Sequence, residues 1–198
     1  SLKPIQSSGS GFIISKDGYI LTNAHNIVTE FSDPSLSITN IKIDVVLPGG
    51  NHYAASIVGV DSRSDVALLK IEGKDFEHCE FGDSDTAIVG EWVVALGNPK
   101  SLFAAANYQP IASAGIISAI NADFGIDSGS GRLMNDMIQT DASLNSGNSG
   151  GPLVDANGRV LGINTFVRND SENLGFAIPI NYAKKIGEEL KLKGFVDR

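Results

Sequence analysis

Ser149 stands in the run Asn145-Ser146-Gly147-Asn148-Ser149-Gly150-Gly151-Pro152. A serine hydroxyl is a weak nucleophile until a neighbouring base takes its proton, and attack on a carbonyl needs donors for the oxyanion it creates. Glycines on both sides permit a tight turn that exposes the hydroxyl and aims backbone N–H groups at one point. They also let a substrate carbonyl approach closely. Gly-x-Ser-x-Gly alone is met in ordinary glycine-rich turns; the longer run is far more specific for acyl transfer.

The same residues satisfy the nucleophile elbow of α/β-hydrolases, whose histidine follows the serine in chain order. Here the three histidines, His25, His52 and His78, all precede Ser149, which excludes that reading. His25 closes the apolar segment Leu21-Thr22-Asn23-Ala24-His25, whereas His52 follows the polar turn Pro48-Gly49-Gly50-Asn51 and His78 sits among Asp75, Glu77 and Glu80. His25 is therefore the candidate base. A base of this kind needs a carboxylate to orient it. Asp65 leads directly into Val66-Ala67-Leu68-Leu69-Lys70-Ile71, and a charge buried there calls for a hydrogen-bonded partner such as His25. Asp61 is the competitor, with a solvated loop acid as its bland reading.

These groups must be held by a β-rich framework. Hydrophobic residues make up 42% and charged residues 19% of 198, the balance of a folded domain, and 22 glycines suit many tight turns. Short apolar segments bounded by turn residues recur at Gly11 to Ser15, Tyr19 to Thr22, Ile41 to Leu47, Ser56 to Val60, Val66 to Ile71 and Trp92 to Leu96. The second half continues with Ile111 to Ile120, Met137 to Thr140, Gly151 to Val154, Val160 to Thr165 and Gly175 to Ile178. Asn157-Gly158 marks a hairpin between two of these. The end alone has helical spacing, with Ala183, Ile186 and Leu190 on one face from Tyr182 to Leu192 and Gly194 as the cap. Polar stretches at 29–40, 99–109 and 121–136 read as long surface loops.

The net charge of −8 argues against nucleic acid as a partner, because phosphate binding needs clustered Lys and Arg. Cys79 is the single cysteine, so no intrachain disulfide forms. No run approaches the roughly 18 apolar residues of a membrane-spanning helix, and the opening Ser1-Leu2-Lys3-Pro4 has no signal-peptide pattern.

The order His25, Asp65, Ser149 is that of the chymotrypsin-like double barrel. The segments Thr22-Asn23-Ala24-His25, Asp65-Val66-Ala67-Leu68-Leu69-Lys70 and Gln139-Thr140-Asp141-Ala142 through Pro152 resemble the HtrA/Deg serine proteases, as do Ala95-Leu96-Gly97-Asn98-Pro99 and Gly175-Phe176-Ala177-Ile178-Pro179. The likeness spans nearly the whole chain. It implies an all-β fold of two six-stranded barrels, about 1–90 and about 91–180, with a short helix at about 181–193. By the same resemblance, Gly147 and Ser149 supply the oxyanion N–H groups, Asn148 shapes their turn, and no metal or organic cofactor is needed. It also implies control by the loops 99–109, 121–136 and 166–174, trimers formed through aromatic residues near the N-terminus (Phe12 being a candidate that could equally be core), and a periplasmic or organellar location.

Departures from the enzymes it resembles refine this reading. Trypsin-like enzymes carry Asp before the nucleophile and an acid six residues before it; Asn148 and Ser143 stand there. A small uncharged pocket for aliphatic P1 residues is expected, lined by Leu144, Ile163, Asn164 and Thr165 by position. Asn26 follows His25 where the family usually has Val, and Ser146 replaces a common Pro or Arg. The resemblance implies a peptide-binding PDZ domain beginning near Arg198, beyond these residues. Three functions remain open: an endopeptidase of extracytoplasmic quality control acting on unfolded polypeptides, a chaperone that binds such chains and seldom cleaves, and a signalling protease with one dedicated substrate.

Overall fold

The computed structural model of the chain describes residues 7–28, 41–98, 108–126, 131–145, 147–167 and 174–198. Five strands form a first antiparallel sheet: β1 (Gly11–Ile13), β2 (Tyr19–Asn23), β3 (Ile43–Val46), β4 (His52–Asp61) and β5 (Val66–Ile71), in the order β1-β2-β5-β4-β3. Six more, β6 (Trp92–Gly97), β7 (Ile111–Ala122), β8 (Met137–Thr140), β9 (Pro152–Asp155), β10 (Val160–Val167) and β11 (Gly175–Pro179), close a barrel in the order β10-β11-β8-β7-β6-β9. The all-β expectation holds, and the second barrel has its six strands. Among the described residues the first sheet has five strands and curls as a half-barrel, whose short edge strands β1 and β3 do not pair with each other. Helix α1 (Ile180–Lys193) follows β11 directly.

β5 shows how side-chain alternation builds two cores at once. Val66 and Leu68 point into a core shared with Leu21, Phe12, Ile163, Phe176 and the apolar face of α1. Ala67, Leu69 and Ile71 point the other way, into the half-barrel's interior with Ile20 and Ile27. Hence the run Val66 to Leu69 is continuous rather than alternating, and every member is buried. Lys70 breaks it with its amine turned back onto the Ile71 carbonyl (2.7 Å). Phe12, 5% exposed, lies in the shared core and so offers no aromatic surface for trimer contacts.

Helix α1 buries the residues its spacing predicts, Ala183, Ile186 and Leu190. It ends where Gly194, at φ 80°, donates its N–H to the Leu190 carbonyl. The helix starts two residues earlier than the sequence pattern suggests, because Ile180 is itself a core residue. The expected loop 29–40, most of that at 99–109, parts of those at 121–136 and 166–174, and Ser146 lie outside the described residues. No helix among the described residues is long and apolar enough to cross a membrane.

Candidate active site

β2 ends at Asn23, and the chain enters a single 3-10 turn, Ala24–Asn26, that carries His25. The turn between β4 and β5 lies beside it. Asp61 builds that turn by accepting hydrogen bonds from the Ser64 N–H (3.1 Å) and hydroxyl. Asp65 then sits at φ 58°, left-handed backbone that Asp and Asn tolerate better than most side chains. The Ala24 N–H and the Asn23 side-chain amide both donate to the Asp65 carbonyl, each at 3.1 Å, which joins the two turns. The segment Asn23-Ala24-His25 thus docks Asp65, the candidate acid, as well as carrying His25, the candidate base.

Asp65 is buried, with 4% of its surface exposed. Its Oδ1 accepts from the His25 backbone N–H (3.0 Å), and the His25 ring Nδ1 lies 2.9 Å from Oδ1 and 2.8 Å from Oδ2. A carboxylate only accepts here, so Nδ1 carries the ring proton and Nε2 is left with its lone pair. From the second barrel, the Thr165 hydroxyl donates to Oδ2 at 2.7 Å, and Arg132 Nη1 lies 3.6 Å from the same oxygen. A buried charge thus receives three hydrogen bonds and a nearby cation, which offset its desolvation.

Ser149 is presented by a turn whose base is fixed by β7 and the end of β8. The Asp141 carboxylate accepts from the Ile116 N–H (2.8 Å), and the Thr140 hydroxyl donates to the Ile116 carbonyl (2.8 Å). Asn148 donates from its side chain to the Ser143 carbonyl (3.2 Å) and from its N–H to the Asn145 carbonyl (3.0 Å). Gly150 adopts φ 88°, and a Cβ there would collide with the Ser10 carbonyl oxygen and Thr22 Oγ1, so glycine is required on both counts.

Two contacts define the state of the candidate nucleophile and its turn. Ser149 Oγ donates to the Thr165 carbonyl at 2.8 Å, and among the described residues no hydrogen bond joins it to the His25 ring. The Ser149 N–H has no partner among them. The Gly147 N–H does, donating to Asn145 Oδ1 at 3.0 Å. For Ser149 to attack a carbonyl with His25 as its base, the hydroxyl would have to rotate toward His25 Nε2, and an oxyanion site of two donors would need the Gly147 N–H to leave Asn145.

Of the residues expected to line a pocket, Leu144 is half-buried and Thr165 almost wholly buried. Ile163 and Asn164 have no exposed surface. Ile163 packs in the shared core, and the Asn164 amide donates to the Pro152 carbonyl (3.1 Å), bracing the nucleophile turn from behind. The other two histidines stand apart: exposed His52 pairs with Asp44 (2.7 Å), and exposed His78 faces the Phe76 carbonyl. His52 belongs to β4 and not to the turn before it, since β3 pairing recruits His52 to Ala55 although they show no apolar alternation.

Asp61, the rival acid, touches neither His25 nor Ser149. It forms a two-point ion pair with Arg198 (2.8 and 2.6 Å). Burial by itself would push its carboxyl up; the Arg198 guanidinium and the Ser64 hydroxyl and N–H more than offset this and hold it below the ordinary range. In return the Asp61 carboxylate holds the Arg198 guanidinium above its already high value. Sequence reasoning missed Arg132 and the role of the Thr165 hydroxyl, both of which reach Asp65 across the two sheets.

Residues 9–163 match the family model of the trypsin-like peptidase domain. The chain is 44% identical over 201 residues to a probable periplasmic serine endoprotease, DegP-like, of Bartonella henselae, covering all of this chain and 36% of that protein. It is 41% identical over 192 residues to the putative serine protease HhoB of Synechocystis, covering 96% of this chain and 41% of that one. Among solved structures, the HtrA-type protease AlgW with decapeptide superposes with a TM-score of 0.78 at 35% identity, covering 95% of this chain and 53% of that one. The serine endoprotease from Yersinia pestis gives 0.76 at 35% identity, over 97% and 60%. The chain therefore spans well under half the length of these two curated relatives.

Proposed function

The chain belongs to the trypsin-like peptidase family, among the HtrA/DegP serine proteases, and on that premise we propose that it is a serine endopeptidase with His25, Asp65 and Ser149 as its triad. The observation that carries the proposal is the buried Asp65 carboxylate, which takes both the backbone and the ring N–H of His25. Ser149 Oγ bonds to the peptide carbonyl carbon as its proton passes to His25 Nε2. The same proton goes to the leaving amine when the C–N bond breaks, and water then hydrolyses the acyl-enzyme by the same route. Asp65 holds the ring in the tautomer this needs. The N–H groups of Ser149 and Gly147 receive the oxyanion, and Asn148 keeps their turn in place.

The contacts of Ser149 with Thr165 and of Gly147 with Asn145 support a resting conformation that substrate must rearrange. The neutral residues Ser143 and Leu144 favour aliphatic over basic P1 side chains, with Thr165 and the β10 backbone at 163–164 as the opposite wall. Unfolded polypeptides are the proposed substrates and an extracytoplasmic compartment the proposed location. The latter rests on relatives named as periplasmic. A homotrimer remains the proposed assembly, by resemblance alone.

A fluorophosphonate probe, which reacts only with an activated serine, tests the proposal beside digestion of casein and of valyl and arginyl peptides. Labelling and digestion should vanish in Ser149→Ala and His25→Ala, with valyl peptides cut faster. An unlabelled wild type would refute the endopeptidase in this state and favour the chaperone reading; arginyl preference would refute the pocket.

A further inference from the structure

Asn26, beside the candidate base, is bound to the candidate nucleophile's own backbone. Its side-chain amide donates to the Ser149 carbonyl (2.8 Å), to Thr22 Oγ1 (3.1 Å) and, at the limit of hydrogen-bonding distance, to the Ser10 carbonyl (3.5 Å). We propose that Asn26 is a positioning residue that sets the spacing of His25 and Ser149 across the two sheets, an inference that rests on the protease reading above.

The argument begins with where the two groups come from. His25 rides on a turn of the half-barrel and Ser149 on a turn of the closed barrel, so strand pairing alone does not fix their separation. Asn26 belongs to the same 3-10 turn as His25. Its bond to the Ser149 carbonyl links the base-bearing turn to the nucleophile-bearing turn through one side chain. The peptide unit it grips is fixed at its other end too, since the Gly150 N–H donates to the Asn164 carbonyl at 2.7 Å. A peptide plane held at both ends fixes the Ser149 Cα, from which the hydroxyl must swing toward His25.

The surroundings are built to accept the amide. Thr22 Oγ1 accepts from Asn26 and donates to the Ser10 carbonyl (2.6 Å), while the Ser10 N–H donates to the Ser149 carbonyl (3.0 Å). A Cβ at Gly9 would collide with the Asn26 side-chain amide, so the segment before β1 leaves room for it. The oxygens around Nδ2 are two carbonyls and one hydroxyl whose proton is already given to Ser10, so the site calls for a donor. An apolar residue there would lose the link. A carboxylate would face two carbonyl oxygens.

The test compares wild type with Asn26→Val, Asn26→Asp, Thr22→Val and the Thr22→Val/Asn26→Val double variant, each checked for folding by circular dichroism. Loss of one neutral hydrogen bond corresponds to roughly two- to tenfold. Asn26→Val should lower kcat and the fluorophosphonate labelling rate by that factor, with KM changed less than twofold. Asn26→Asp should be slower still, although it nearly matches Asn in shape. Thr22→Val should share part of the loss, and the double variant should be less impaired than the product of the singles. If Asn26→Asp does not fold, the Thr22–Asn26 cycle decides. Unchanged kcat and labelling, with effects confined to melting temperature or KM, overturn the positioning role and leave the protease reading standing. Failure of wild type to label overturns that reading and this inference with it.

Discussion

Replacing Asp65 by Asn should cost about 10⁴ in kcat/KM, and the hydrogen bonds say why. An amide offers one acceptor oxygen where the carboxylate offers two. With that oxygen at the Oδ1 position it still serves the His25 backbone N–H, but the amide nitrogen then meets the His25 ring, Thr165 and Arg132. The ring is invited to accept at Nδ1, which moves its proton to Nε2 and removes the base. With the amide reversed, its NH₂ opposes the His25 backbone N–H, donor against donor. Hydrogen bonds to a charged group are worth about 1.5–3 kcal/mol each. Weakening the two from the ring and from Thr165 therefore gives about 3–6 kcal/mol, which brackets the roughly 5.5 kcal/mol of a 10⁴-fold loss. The assay is peptide hydrolysis under kcat/KM conditions with melting temperature alongside, and Asp61→Asn as the matched control. A loss below tenfold for Asp65→Asn, or a larger one for Asp61→Asn, would refute the assignment of the orienting acid.

Asp61 makes a different prediction. Its carboxyl titrates below the ordinary value when folded, so its contribution is fully present above the unfolded pKa of roughly 3.9 and lost as pH falls through the lower folded value. Asp61→Asn should be less stable at neutral pH and show a flatter fall of melting temperature in acid; an acid limb as steep as wild type's would refute this. Asn145→Ala frees the Gly147 N–H of one neutral hydrogen bond and should speed fluorophosphonate labelling by roughly two- to tenfold. Slower labelling would mean that Asn145 supports the oxyanion turn and does not occupy it.

The strands were legible in the sequence because their burial follows from alternation and turn residues. Val66 to Ile71 reads as a strand from its apolar run alone, and its two-sided burial follows from a shared core behind it. β4 was legible only from Ser56 on: His52 to Ala55 extend it because β3 offers backbone partners, a non-local cause that no side-chain pattern announces. His25 and Asp65 could be paired on paper because a buried acid demands a partner. Their helpers could not. Thr165 lies 100 residues from Asp65 in the chain, and Asn26 lies 123 from Ser149. Asn26 was visible only as a departure from the family's usual Val, without a reason. Asn164, placed in the pocket by position, is buried because the turn it braces needs its amide behind it.

These helpers share one geometric property that bears on how the candidate site is held together. Thr165 joins Asp65, Asn26 and the Ser10 N–H join the Ser149 carbonyl, and the Ser10 hydroxyl donates to the Gly147 carbonyl at 2.6 Å. Each link runs between the half-barrel side and the closed-barrel side. The apolar groups beneath them do the same, with Phe12, Leu21 and Leu68 from one sheet against Ile163 and Phe176 from the other and α1 across the back. The shared core supplies the free energy that brings the sheets together, since hydrophobic burial is large and non-directional. It cannot by itself set a hydrogen-bond length within a few tenths of an ångström. The polar links are directional and set that register, but each is too weak to hold the sheets together. The polar links therefore lie along the seam between the two sheets, beside the turns that carry the candidate base and the candidate nucleophile.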